Sequence, residues 1–263
     1  MRIGCCVPGG SFMPQEQGRE MDALERLTLG ADMILKAGFD YVESAVGMIM
    51  ALTEEQLQKA RGRVPLEACN SFIPGQGTVI NGGEELKVYV REAMRRMTSL
   101  GCRLVVFGSG RARSIPEDMS RDEGMGRIRD FLADCQRAGE EYGMEVVLEP
   151  LNKKESNVLN RVSEATELAR SLSLSRINVL ADAYHMALEN EPLTSLGEAG
   201  KLLHHVHVAE ADRSRPGVTD DLRAVAEALR AMDYKGRVSV ECVFKDFAGE
   251  IGPTGKYMRE VFG

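Results

Sequence analysis

The sequence predicts an α/β protein built as a single (β/α)8 TIM barrel, and three observations carry that reading. Short apolar runs of strand character alternate with longer segments of helical period, the pattern of a parallel sheet covered by helices. The alternation repeats eight times over 263 residues, a length at which such barrels form as one unit. No Pro/Gly/Ser-rich linker, charge block or low-complexity stretch offers a boundary, so residues 1–263 are read as one domain. An open doubly wound sheet would place a glycine-rich phosphate loop after its first strand. Val7-Pro8-Gly9-Gly10-Ser11 matches neither G-x-G-x-x-G nor the P-loop pattern.

Taken in order, a strand over 3–7 leads into a helix over 19–37. That helix sets Leu24, Leu27, Ala31, Ile34 and Leu35 at helical spacing and stops at Gly38. After a strand over 41–44, Thr53 and Gln56 have the form of a capping box that opens a short helix. The strand over 64–69 precedes a helix over 84–100, with Leu86, Tyr89, Val90, Met94 and Met97 on one face and Gly101 beyond its end. A strand over 104–107 precedes a helix over 122–142 that ends at Gly143. The strand over 145–149 precedes a helix through Leu172 for which Ser163 is the expected N-cap. Strands over 177–181, 204–208 and 238–241 then alternate with helices over 193–203, 221–232 and 255–262. The methionines on these faces read as core filler.

Composition narrows the function classes. Lys plus Arg at 33 against Asp plus Glu at 40 gives a net charge of −7, which argues against a general nucleic-acid or anionic-membrane binder. No run reaches the ~20 apolar residues of a membrane helix, and the first ten residues lack the pattern of an export signal. Cys5, Cys6, Cys69, Cys102, Cys135 and Cys242 form no C-x-x-C pair and read as reduced core thiols, so a cytoplasmic location is expected.

In a barrel of this kind the active site is built at the carboxyl ends of the strands. Strand five runs into Glu149-Pro150-Leu151-Asn152, strand six into Asp182-Ala183-Tyr184-His185, strand seven ends His205-Val206-His207-Val208, and strand eight ends at Glu241. Four successive strands thus present a carboxylate or an imidazole at the same end. Residues two apart share a face, which pairs Glu149 with Val147, Asp182 with Leu180, His207 with His205 and Glu241 with Ser239. Crowding these groups into one mouth is costly without a counter-ion. Three carboxylates and one imidazole suit Mn²⁺ or Mg²⁺ and could also hold Co²⁺ or Zn²⁺. All four histidines, His185, His204, His205 and His207, fall at or just beyond strands six and seven, a distribution skewed toward this end.

At these motifs the chain resembles the sugar phosphate isomerase/epimerase superfamily, the xylose-isomerase-like barrels that include ketose 3-epimerases and hydroxypyruvate isomerase. The resemblance rests on Glu149-Pro150-Leu151-Asn152 with Glu155, Asp182 with His185, His205-Val206-His207 with Arg213, and Val240-Glu241. It implies one divalent metal ion, Mn²⁺ before the others, on Glu149, Asp182, His207 and Glu241, and a metal-bound cis-enediolate formed from an α-hydroxy carbonyl substrate. It further implies that Glu149 and Glu241 exchange protons on opposite faces of the substrate. His185 and Arg213 would contact the substrate oxygens, with Glu155 orienting them. The expected activity is that of a metal-dependent sugar isomerase or epimerase, a ketose 3-epimerase first, acting on a small sugar or keto acid. Family members often assemble as dimers or tetramers, so the resemblance implies a homo-oligomer of one of these kinds.

One segment departs from the ketohexose epimerases, which commonly carry aromatic residues after strand four. Here it reads Phe107-Gly108-Ser109-Gly110-Arg111-Ala112-Arg113, and the chain has no Trp. Ser109 and Arg111 are therefore expected at the pocket, with Arg111 or Arg113 able to hold a carboxylate or phosphate at its rim. An anionic or derivatised sugar is as good an expectation as a free ketohexose. Glu43 and Ser44 after strand two, and Cys69-Asn70-Ser71-Phe72 after strand three, are expected as walls of the mouth, with Cys69 among the substrate contacts. Alternatives are a lyase or dehydratase on a keto-sugar or keto-inositol, a hydroxypyruvate-type isomerase, and a sugar sensor or partner subunit. An apurinic endonuclease of related fold would require a histidine-rich trinuclear zinc site and a positive DNA face.

Overall fold

The computed structural model describes residues 1–8, 21–219 and 222–263. The expected positions Gly9 to Ser11 of the first loop, Arg19 and Glu20 of the first helix, and Asp221 lie outside the described residues. Eight parallel strands close in chain order, β1 (Arg2–Cys6), β2 (Tyr41–Ala45), β3 (Leu66–Asn70), β4 (Leu104–Phe107), β5 (Glu145–Leu148), β6 (Ile177–Asp182), β7 (Leu203–Val208) and β8 (Arg237–Val240), with β8 pairing back to β1. The (β/α)8 barrel expected from the alternation is thus observed.

Strand parity sorts the side chains into two shells. Outward residues such as Ile3, Val42, Val105, Leu148, Val179, Val206 and Val238 join the helix faces in one continuous apolar shell. Inside, Ala68, Leu104, Val106, Val147 and Leu180 form a separate apolar plug. Beside this plug the interior is polar: Tyr41 Oη lies 2.9 Å from Ser239 Oγ, and Glu43, His205 and His207 are fully buried. Gly4 makes room for this layer, because a Cβ there would collide with the Tyr41 ring.

The helices follow local signals with informative exceptions. α1 (Ala23–Lys36) starts at Asp22, whose side chain and Glu25 form a capping box. After the short α2 (Val46–Met50), α3 (Glu54–Ala60) carries the expected Thr53/Gln56 box. α4 (Thr78–Asn81) is one turn, and α5 (Glu84–Ser99) and α7 (Arg121–Tyr142) flank the short α6 (Gly110–Arg113). α7 ends at Gly143 in the left-handed conformation, as read. α8 (Val162–Leu172) corrects the sequence reading, since Ser163 lies inside it and Arg161 precedes it. Its first amides, those of Val162 and Ser163, donate instead to the Glu191 carboxylate (2.9 and 3.3 Å), an anchor distant in sequence. α9 (Ala183–Leu188) follows β6 directly, and α10 (Thr194–Ala199) gives way to a 3-10 turn before β7. α11 (Leu222–Ala231) precedes β8, and α12 (Phe247–Phe262) begins well before the expected residue 255. Pro253 masked that start: proline reads as a helix breaker, yet α12 carries it in its interior.

No helix among the described residues is long and apolar enough to cross a membrane. All six cysteines are free.

Candidate active site

The carboxyl ends of β5 to β8 bring Glu149, Asp182, His207 and Glu241 together. One ligand atom from each lies within 4.8 Å of all the others. His207 Nδ1 is 3.3 Å from Glu149 Oε1 and 3.5 Å from Glu241 Oε2. The side chains of Glu149 and Asp182 are 7% and 2% exposed and that of Glu241 is 22%, so the cluster is closed below and opens along Glu241. A cavity of about 220 Å³ sits over it, walled by Ser71, Ile73, Gly108 to Gly110, Leu151 and Glu155 besides Glu149 and Glu241 of the cluster.

The local electrostatics call for a cation. Burial pushes the Asp182 carboxyl up to about 6, with Glu149 and Glu241 adding to the rise and His185 opposing it. Burial pushes His207 down, but Glu43, Glu241 and Glu149 outweigh it and hold the imidazole well above its ordinary value. Glu241 is pushed up by burial and brought below its ordinary value by His207. Three carboxylates and one imidazole nitrogen at mutual coordinating distances fit a divalent ion with a preference for oxygen ligands.

A second group of residues prepares the cavity wall. Asn152 donates from its backbone N–H and from Nδ2 to His185 Nδ1 (3.2 and 2.9 Å), so the His185 proton resides on Nε2. That Nε2 is buried without a hydrogen-bond partner, 3.8 Å from Asp182 Oδ2, and His185 lines the cavity. Arg213 spans the opening: its guanidinium lies 3.3 Å from Glu155, 3.6 Å from Glu241 and 4.8 Å over the Tyr184 ring. The residue sits at φ 65, a left-handed turn held by its N–H on the Glu210 carbonyl (2.8 Å).

Several sequence-predicted positions fall elsewhere. Cys69 is fully buried in the outer shell, with its Sγ 3.9 Å from that of Cys102, because its parity points it toward the helices. Its neighbour Asn70 takes the inward place and donates to Glu241 Oε1 (3.0 Å). Ser109 does line the cavity and accepts from the Ile73 N–H (2.9 Å). Arg111 is exposed and does not line it. Arg113 is fully buried and donates to the carbonyls of Phe107 and Glu149 (2.8 and 2.7 Å), so it is structural and cannot hold an anion at the rim. His204 pairs with Glu145 (2.8 Å) at the opposite end, beside a larger groove of 610 Å³ that contains none of the carboxylate cluster. Glu43, read only as a wall of the mouth, bridges His205 and His207. The parity rule that placed His205 and His207 on one face also points Glu43 inward.

Gly108 allows the wall to close on the cluster, since a Cβ there would collide with Glu149 Oε2. Gly108→Ala is expected to swing that carboxylate aside and reduce turnover by about 10²-fold. Because the obstacle is the far end of a flexible side chain, the midpoint of thermal unfolding should move by no more than about 4 °C. Full activity in this variant would show that the Glu149 position is not critical.

The fold and this cluster define the class. A model of the xylose isomerase-like TIM barrel family matches residues 31–260, and the chain belongs to that family. Among curated proteins it is 33% identical to 3-dehydro-D-guloside 4-epimerase of Escherichia coli K12 over 48% of this chain and 48% of that enzyme, so the match spans about half that relative's length. It is 27% identical to L-ribulose 3-epimerase of Methylomonas sp. DH-1 over 82% of this chain and 77% of the relative. A crystal structure of D-psicose 3-epimerase in the presence of D-fructose superposes with a TM-score of 0.83 at 18% identity, covering both chains completely.

Proposed function

We propose that this protein is a divalent-metal-dependent sugar epimerase that moves a proton on the carbon beside the carbonyl of a ketose, with ketose 3-epimerisation the first reading. The observation that carries the proposal is the placement of Glu149 and Glu241. β5 and β8 lie three strands apart round the barrel, so the two carboxylates reach the cavity from different sides, with His207 Nδ1 within 3.5 Å of both. One such carboxylate serves to remove a proton, and a second on another face serves to return one with inverted configuration.

A divalent ion on Glu149, Asp182, His207 and Glu241, Mn²⁺ by preference, would supply Lewis acidity toward substrate oxygens. The chain's own residues supply the remainder. His185 Nε2–H, buried without a partner, donates to a substrate oxygen, and that hydrogen bond strengthens as negative charge develops there. Arg213 adds a cationic donor at the opening, fixed by Glu155 and the Tyr184 ring. One glutamate takes the carbon-bound proton, and the other delivers a proton to the opposite face, which leaves the composition of the sugar unchanged.

A second reading keeps this chemistry and changes the substrate to a keto-glycoside, epimerised beside its keto carbon. It is favoured by the cavity wall, in which Ser71, Ile73, Gly108, Ser109, Gly110 and Leu151 stand beside the polar groups and, among the described residues, no Phe, Tyr or Trp offers a platform for a free ketose. The 33%-identical relative named for a dehydro-guloside points the same way. NMR-detected uptake of deuterium from D₂O, with Mn²⁺ and with chelator, over a panel of ketoses, keto acids and keto-glycosides tests both readings. Metal-dependent uptake at one carbon with formation of its epimer is expected, and the substrate that reacts chooses between them. Loss of water would establish a lyase instead. Absence of exchange across the panel in metal-loaded protein would overturn the proposal.

A further inference from the structure

Glu43 belongs to neither the four-residue cluster nor the cavity wall, yet it is fully buried at the same end of the barrel. Its two carboxylate oxygens meet two different imidazoles: Oε2 lies 2.9 Å from His205 Nε2, and Oε1 lies 2.9 Å from His207 Nε2. A carboxylate in this place accepts from both, so both Nε2 atoms carry protons. His205 then presents a bare Nδ1, and that atom is buried without a hydrogen-bond partner, a lesser penalty than an orphaned N–H. His207 Nδ1 faces Glu149 and Glu241, and because Nε2 keeps its proton on Glu43, Nδ1 is the nitrogen that becomes bare when a divalent ion takes the place of its proton. The rings of His205 and His207 meet edge to face, 4.9 Å apart at 77°, so neither turns without displacing the other.

We propose that Glu43 is a positioning residue that selects the Nδ1-bare tautomer of His207 and aims it at a divalent ion, with His205 as its second anchor. The inference rests on the metal reading of the cluster given above. Glutamine is isosteric but cannot accept from two imidazoles through both of its terminal atoms, since one of them is an N–H donor. The amide of Glu43→Gln therefore forces one ring to flip or change tautomer. Outer ligands of this kind typically govern metal affinity by about 10–100-fold.

Cadmium-113-loaded protein labelled with ¹⁵N-histidine provides the first test. His207 should show metal coupling at Nδ1 and a proton on Nε2. Coupling at Nε2 would overturn the role of Glu43 while leaving the metal centre standing, whereas failure to take up cadmium or Mn²⁺ at the cluster would overturn both. The second test is Mn²⁺ affinity by EPR. Glu43→Gln should weaken it by about 10–100-fold and abolish the single-tautomer signature. A side chain that only fills space would lower the unfolding temperature and leave affinity and tautomer as they were, and that result would sink the proposal. Should the variant fail to fold, the cadmium spectrum of the unaltered protein still decides.

Discussion

Glu241→Gln, measured with saturating Mn²⁺ and the ion verified by EPR, is expected to lose turnover by about 10²–10⁴-fold. The substitution conserves volume, and its carbonyl oxygen can still accept from Asn70 Nδ2, which donates to Glu241 Oε1 at 3.0 Å. It removes the negative charge that faces Arg213 at 3.6 Å and His207 at 3.5 Å, and with it the capacity to take a proton. Glu149→Gln should be equally impaired, but in a different way. With a carboxylate left on one side only, each variant should still exchange the carbon-bound hydrogen of one epimer with D₂O while failing to form the other. The two variants should retain exchange in opposite epimers. Equal loss of exchange from both epimers in a fully metal-loaded variant would exclude a two-base division of labour, and unchanged turnover would exclude the residue from proton transfer altogether.

Arg113→Met should give the largest loss of stability, about 3–5 kcal/mol by denaturant unfolding. The guanidinium is completely buried and ties the carbonyl of Phe107, at the end of β4, to that of Glu149, just beyond β5. It also stacks 5.4 Å from the Phe107 ring. Burial pushes Arg113 down to about 10, with Glu149 opposing, so it stays charged at neutral pH. Methionine retains much of the apolar stem but removes the guanidinium donor from both buried carbonyls, leaving that of Phe107 only the Glu149 N–H at 3.3 Å. Because one of those carbonyls belongs to Glu149, activity should fall even at temperatures where the variant is folded. A loss below about 1 kcal/mol would mean that the strand ends hold themselves in place.

Much of this was legible from one dimension. The alternation of short apolar runs with period-3.6 segments predicted the barrel, because strands buried on both faces need a layer of helices outside them and their order admits a parallel closed sheet. Strand parity placed Glu149, Asp182, His207 and Glu241 at one end and on one face, since that rule needs only the local backbone. The same rule shows why Cys69 was misassigned: Asn70, one residue on, has the inward phase and meets Glu241. Arg113 was misread for a different reason, as an arginine in a glycine-rich turn looks solvated until the chain folds over it.

What the tertiary structure alone decided are the partnerships across the barrel. Glu43 meets two histidines more than 160 positions away, and Glu191 anchors the start of α8 from 28 residues downstream. His204 and His205 are adjacent in sequence yet serve opposite shells, one against Glu145 and the other against Glu43. Local propensity determines which way a side chain points. Which charge waits there depends on strand stagger and on closure of β8 against β1, and these are settled only when all eight strands have found their register.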